Sequence, residues 1–150
     1  METERHLIDF ESSIGPWLGK TVKIVDYHLQ EAFKKANLDL TKEQMVVLKK
    51  LNEEDGLNQN ELAFLTYRDK SSLARLLSKM EQKDYVIRQK DENDKRVNKV
   101  FLTNTGKDIY QKARPEIQQV ILKMERKITD TERKQMISVL KKVQGNFMND

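Results

Sequence analysis

Two short segments of this chain carry side chains suited to gripping a polyanion. The first runs from Asp69 to Gln82. At 100° per residue, Leu73, Leu76, Leu77 and Met80 fall in one sector of a helical wheel, and Ser71, Arg75, Ser78 and Gln82 fall opposite. Ser72 and Lys79 flank that outer face. Such a helix packs on one side and presents hydroxyls and cations on the other. The guanidinium fork of Arg75 matches the O6 and N7 acceptors of guanine. Ser71, Ser72 and Lys79 suit phosphate or mixed contacts. The second segment, Asp91-Glu92-Asn93-Asp94-Lys95-Arg96, has no apolar residue. Lys95 and Arg96 there suit a minor groove or phosphates, and Asp94 is placed to hold Arg96 by an ion pair. Taken singly, each segment also reads as a solvated surface. Their order in the chain gives them a shared meaning.

The elements around them supply that order. A first helix is expected from Pro16 to Asn37, with Leu18, Val22, Val25, Leu29, Ala32, Phe33 and Ala36 at helical spacing. A second follows Thr41 as N-cap, turns Met45, Leu48 and Leu51 inward, and stops at Gly56. A third starts at Asn58, which stands with Glu61 in capping-box positions. The break at Thr66–Arg68 is short, so the Asp69–Gln82 helix must cross the third at a steep angle. Tyr85–Lys90 and Val97–Leu102 read as strands, with a polar turn at Asn93-Asp94. Thr103 caps a long helix from Asn104, which Pro115 should bend or split. Thr129 and Glu132 form a further capping box. The last helix carries Met136, Ile137, Leu140, Val143 and Phe147 on one stripe.

This sequence predicts a mainly α chain with a small two-stranded β-wing, a winged helix-turn-helix with N- and C-terminal dimerisation helices. Residues 38–103 form the DNA-binding lobe of a single 1–150 domain, and 1–37 and 104–150 form the helical dimerisation region. One element enters a major groove while the other reaches along the duplex. The apolar stripes of the first and last helices exceed what the small lobe needs, which favours a second copy of the chain and a palindromic site.

Charge agrees with that division. Between Thr66 and Leu102 stand ten basic and six acidic residues, a surplus of four that equals the net charge of the whole chain, +4. A basic lobe on a neutral body suits a polyanionic partner. The chain has no cysteine, which excludes disulfides and thiolate chemistry. It shows no glycine-rich phosphate loop and no nucleophile–base pair at recognisable spacing. His6 and His28 are too few and too isolated for a metal centre. No catalytic residue, metal ligand or cofactor is expected, and neither a membrane span nor a signal peptide is seen. A cytoplasmic protein is the expectation.

The run Gly56-Leu57-Asn58-Gln59-Asn60-Glu61-Leu62-Ala63, the run Asp69-Lys70-Ser71-Ser72-Leu73-Ala74-Arg75-Leu76-Leu77, the Asp91–Arg96 tip and Leu102-Thr103 with Gly106 together resemble the MarR family of bacterial transcription regulators. The motifs cover Leu40 to Gly106, and the helix order extends the likeness along the chain. The resemblance implies obligate dimers joined through terminal helices. It implies a repressor, or less often an activator, released from its operator by a small ligand. It places recognition contacts on Ser71, Ser72 and Arg75 and a wing contact on Arg96. Asp84 departs from the family pattern, which has glycine there; aspartate tolerates the left-handed conformation better than most residues.

The DNA-contact candidates are therefore Arg68, Lys70, Ser71, Ser72, Arg75, Lys79, Asn93, Lys95 and Arg96. By resemblance, a small aromatic or anionic effector would sit in a cleft lined from Trp17, Lys20, Tyr27 and His28, with Lys23 also on that helix; interface packing explains Trp17 and Tyr27 equally well. Two rivals remain: a winged-helix module that binds protein, and an architectural DNA binder with no ligand. The first should expose apolar or aromatic side chains on the outer face of the Asp69–Gln82 helix. The second needs no cavity near the first helix.

Overall fold

The structure is a computed structural model and describes residues 9–148. A single 3₁₀ turn, Phe10–Ser12, leads into α1 (Ile14–Lys35), α2 (Lys42–Glu53), β1 (Leu57–Asn58), α3 (Gln59–Leu65) and α4 (Lys70–Gln82). Then come β2 (Val86–Lys90), β3 (Asn98–Leu102), α5 (Asn104–Met124) and α6 (Asp130–Met148). The chain divides into two compact units, one running to Val120 and the other from Ile121.

Local chemistry sets most helix starts in the lobe. Thr41 and Gln44 form a reciprocal capping box on α2. Asn58 Oδ1 accepts from the Glu61 N–H at 2.8 Å, and Asp69 Oδ1 accepts from the Ser72 N–H at 2.7 Å. Each such cap stabilises by about 1 kcal/mol. Thr103 Oγ1 does the same for the Gly106 N–H at the start of α5. α1 begins two residues earlier than Pro16 suggests, at Ile14; the proline still lies in the first turn, where a missing N–H leaves no helical bond unmade. Pro115 does not split α5, which is one helix from Asn104 to Met124. It deprives the Gln111 carbonyl of its usual donor. Both residues are exposed, so water can satisfy that oxygen.

The sheet has one strand more than the sequence suggests. β1 pairs antiparallel with β3 (Leu57↔Val100), and β3 pairs antiparallel with β2 (Arg88↔Val100), giving the order β1-β3-β2. Two residues are too few for a period-2 pattern to register. The strand exists because the α2–β1 loop is stitched to β3: Gly56 N–H donates to the Val100 carbonyl and Leu102 N–H donates to Asp55 Oδ1. Gly56, at φ +75°, makes the turn that permits this.

The core lies between these pieces. Phe33 of α1, Val47, Leu48 and Leu51 of α2, Leu62 of α3, Leu73, Leu77 and Met80 of α4, and Val86 and Val100 of the sheet are fully enclosed. Leucine and methionine burial of this kind contributes about 1.5–3 kcal/mol per side chain. Tyr110 and Ala113 bring the first half of α5 into the same cluster. There the chain passes close to itself. A Cβ at Gly106 would lie 2.1 Å from the Tyr85 carbonyl oxygen, so only glycine fits. Asp84, at φ +61°, takes the left-handed conformation between α4 and β2, and Thr105 Oγ1 donates to its carboxylate. The second unit is built differently. Its α6 buries no residue, and Met136, Ile137 and Phe147 are exposed.

Candidate nucleic-acid interface

α4 presents the face that its periodicity predicts. Leu73, Leu76, Leu77 and Met80 are buried, while Lys70, Ser71, Arg75, Ser78, Lys79 and Gln82 are exposed. Ser72 is half-buried, its N–H committed to the Asp69 cap. The outer face carries no apolar or aromatic side chain. The exposed aromatics nearest in sequence are Phe64 and Tyr67, on α3 and in the turn that follows it. Arg68 stands in that same turn, half-buried, with an Nε that is enclosed and has no hydrogen-bond partner.

The wing tip is more ordered than an all-polar hexapeptide suggests. Asp91 builds it: its Oδ1 accepts from the N–H groups of Asn93 at 2.7 Å and Asp94 at 3.1 Å, and its Oδ2 pairs with Lys99 at 3.3 Å. These bonds, the backbone donors first, hold the Asp91 carboxyl below the ordinary aspartate range. The tight turn lies two residues later than Asn93-Asp94. It is closed by Val97 N–H to the Asp94 carbonyl and places Lys95 and Arg96 at its centre. The backbone N–H groups of Asn93 and Asp94 donate to the Asp91 carboxylate, which pre-empts Asn93-Asp94 as the turn centre. Arg96 Nε donates to Asp94 Oδ1 at 3.1 Å, and its Nη2 lies 3.4 Å from Oδ2. That pairing, more than the Arg96 backbone N–H, lowers the Asp94 carboxyl. The Arg96 side chain is nevertheless 91% exposed. It is aimed without being covered.

Between α4 and the wing lies a cleft of about 330 Å³, lined by Gln59, Asn60, Lys70, Ser71, Ala74, Arg96, Val97 and Asn98. It brings Lys70, Ser71 and Arg96 together and contains no acidic side chain. Gln59, Asn60 and Asn98 are the residues that helical and strand periodicity missed. The amide run Asn58-Gln59-Asn60 is the only hint of them in the sequence, and it reads there as a helix start. Within the lobe, Lys83 pairs with Asp39, Arg88 with Glu81, Lys99 with Asp91 and Arg96 with Asp94. Among the described residues, Lys70, Arg75, Lys79, Lys90 and Lys95 make no ion pair, so their charge faces solvent undiminished.

Trp17, Lys20, Tyr27 and His28 all lie exposed along α1. Their spacing places them within an arc of about 100°. The Trp17 indole N–H donates to the Glu11 carbonyl at 2.7 Å, and Tyr27 and His28 meet edge to face at 5.5 Å between ring centroids. The α4–wing cleft does not include them. His6 lies outside the described residues. Among the described residues, no group of three histidine, aspartate or glutamate side chains is placed to hold a metal ion, and no helix is long and apolar enough to cross a membrane.

Comparison with known proteins adds a common theme. Residues 40–97 match the model of the MarR family. An uncharacterized HTH-type transcriptional regulator of Bacillus subtilis, YybA, is 29% identical over 114 residues, covering 76% of each chain. The HTH-type transcriptional regulator SarZ of Staphylococcus epidermidis is 39% identical over 70 residues, and this chain spans about half of its length, 47%. Among solved structures, a MarR variant from E. coli complexed with operator DNA superposes with a TM-score of 0.81 at 26% identity, covering 91% of this chain and 99% of that one.

Proposed function

We propose that this chain is a DNA-binding transcriptional regulator of the MarR family, built on a winged helix, and that it binds a pseudo-palindromic operator as a homodimer and represses until a small ligand releases it. The observation that carries this reading is the cleft between α4 and the wing, where unpaired Lys70 and half-held Arg96 face each other across a strip free of acid. A phosphate backbone fits such a strip, with Arg75 next to it reading a base edge. Lys95 and Arg96, at the centre of the wing turn, take the adjacent groove or its phosphates, and Asn93 and Lys79 contact the flanks. Arg68, half-buried in the turn before α4, contributes through the part of its side chain that stays in solvent, since its Nε is enclosed. Pairing through the exposed stripes of the terminal helices supplies the second head, and two-fold symmetry of the protein then demands two-fold symmetry of the site.

Selection of bound fragments from genomic DNA tests this. The expected outcome is an inverted repeat whose half-site centres are one helical turn, roughly 10 base pairs, apart or a multiple of it. Enrichment of sequences without two-fold character removes the homodimer reading. The effector is the lesser part of the proposal. Trp17, Lys20, Tyr27 and His28 form an aromatic and cationic strip on α1 that suits an aromatic carboxylate. Benzoate titrated into the operator complex should release DNA in the wild-type chain and lose that effect in Lys20→Ala. A complex indifferent to aromatic acids favours a regulator without a ligand.

A further inference from the structure

One side chain of the lobe is both central and committed. Arg88 stands in the middle of β2, opposite Val100 of β3, with its side chain 25% exposed. Its Nε donates to the Glu81 carboxylate, and its Nη2 donates to Ser78 Oγ at 3.0 Å. Ser78 Oγ in turn donates to the Ala74 carbonyl at 3.0 Å. Ser78 and Glu81 are one turn apart on α4, so a single planar guanidinium grips the recognition helix at two points along one side. Among the described residues, no other ion pair joins α4 to the sheet.

We infer that Arg88 is a positioning residue for DNA reading, which fixes the rotation of α4 against the wing and so the direction in which Arg75 points relative to Lys95 and Arg96. The inference rests on the proposed function. A helix held only by apolar packing can roll by a fraction of a turn at small cost, because leucine side chains slide where a forked, charge-assisted pair does not. Base reading is sensitive to such a roll; phosphate attraction is not, since it acts over several ångströms and in any register. The network also removes Ser78 from the reading face. Its one proton goes to Ala74, and its accepting side is turned to Arg88. The reading face is thus the first two turns of α4, from Lys70 to Arg75.

The test compares operator and random DNA for the full-length wild type, Glu81→Gln, Arg88→Lys and the Glu81→Gln/Arg88→Lys double variant, at two salt concentrations. Glu81→Gln gives the discriminating sign. Deleting an acid from a DNA-facing lobe should tighten binding to any duplex by simple electrostatics. A positioning role instead predicts that the operator-to-random ratio falls by about tenfold, one base pair's worth of discrimination, while random binding is unchanged or tighter. Arg88→Lys keeps the charge but cannot span both partners, and should lower the ratio similarly. The double variant should lose no more than either single one, because the pair acts as a unit. The dependence on salt should be the same in all four chains. Two results overturn the role: Glu81→Gln tightening operator and random DNA alike, which makes Arg88 a phosphate contact masked by Glu81, or an unchanged ratio in both single variants. Melting curves separate these outcomes from misfolding, since Glu81 is partly exposed and its amide keeps the shape. A wild-type chain that fails to discriminate operator from random DNA sinks the regulator reading, and this inference with it.

Discussion

The lobe around α4 and the helix α6 are both made of apolar stripes at helical spacing, yet only one of them closes on itself. In the lobe, Leu73, Leu77 and Met80 meet side chains from α1, α2, α3 and the sheet and vanish from solvent. In α6, Met136, Ile137, Val139 and Phe147 stay exposed, Phe147 at 80%. The same contrast runs within α1: Leu29 and Phe33 near its end are buried, while Trp17, Val22, Ile24 and Tyr27 before them are not. A stripe is a demand for a partner, and its pattern does not say whose side chains will meet it. Apolar surface left on this scale marks an association surface more often than a tolerated exposure. The lobe encloses its stripe, whereas α6 and the first turns of α1 leave theirs in solvent, where the proposed pairing with a second copy would cover them.

That contrast can be broken at either end. The largest effect is expected in the lobe: Leu77→Ala should cost about 2–5 kcal/mol in unfolding free energy, whatever the protein concentration, as chemical denaturation would read it. An effect below about 1 kcal/mol would mean that the core there is looser than its enclosure indicates. Next in size, Ile137→Lys should cost association at least about 2 kcal/mol, with helical content preserved, because a charge would replace an interface side chain. Sedimentation shows this as a shift from dimer to monomer; an unshifted dimer would remove α6 from the interface. Arg75→Ala should weaken operator binding by about 1–3 kcal/mol and relax specificity at one base pair, with a smaller loss on random DNA. Equal losses on both would make Arg75 a phosphate contact. The smallest effect belongs to the wing tip. Asp91 and Asp94 have carboxyls held below the ordinary value near 3.8 by the bonds they accept. A lowered folded-state pKa contributes order that is complete above the unfolded value and lost as pH falls through the folded one. The amide signals of Asn93, Asp94 and Arg96 should therefore hold steady through mildly acidic solution and shift only below pH of about 4. A shift centred above that range would contradict the role given to Asp91.

Much of the lobe was legible in the sequence because its signals are local. Thr41, Asn58, Asp69 and Thr103 announce helix starts through a side chain that bonds three residues ahead. The buried sector of α4 follows from spacing alone. The left-handed conformation of Asp84 was expected only through the family resemblance, which places glycine there, and the structure has it at φ +61°. What was hidden depends on contacts distant in sequence. β1 is defined by Asp55 and Gly56 bonding to β3, more than forty residues on. The cleft that joins Gln59 and Asn60 to Asn98 exists only once the sheet has formed, and no period in the sequence points to it. The grip of Arg88 on Ser78 and Glu81 was equally out of reach: the sequence sets Ser78 on the outer face of the helix and gives Arg88 and Glu81 no role beyond their charge until strand and helix are laid side by side. Charge counting told the sign of the lobe correctly but overstated how many cations are available, since Lys83, Arg88, Lys99 and Arg96 each have an acidic partner.

The central claim is that the unpaired cations of the lobe, led by Lys70, Arg75, Lys79 and Lys95, hold a duplex. Operator binding by the wild-type chain, followed by fluorescence anisotropy over a series of salt concentrations, tests it most directly. The logarithm of the binding constant should fall linearly with the logarithm of salt, with a slope of about 0.9 for each phosphate neutralised. A binding constant that does not change with salt would contradict the account.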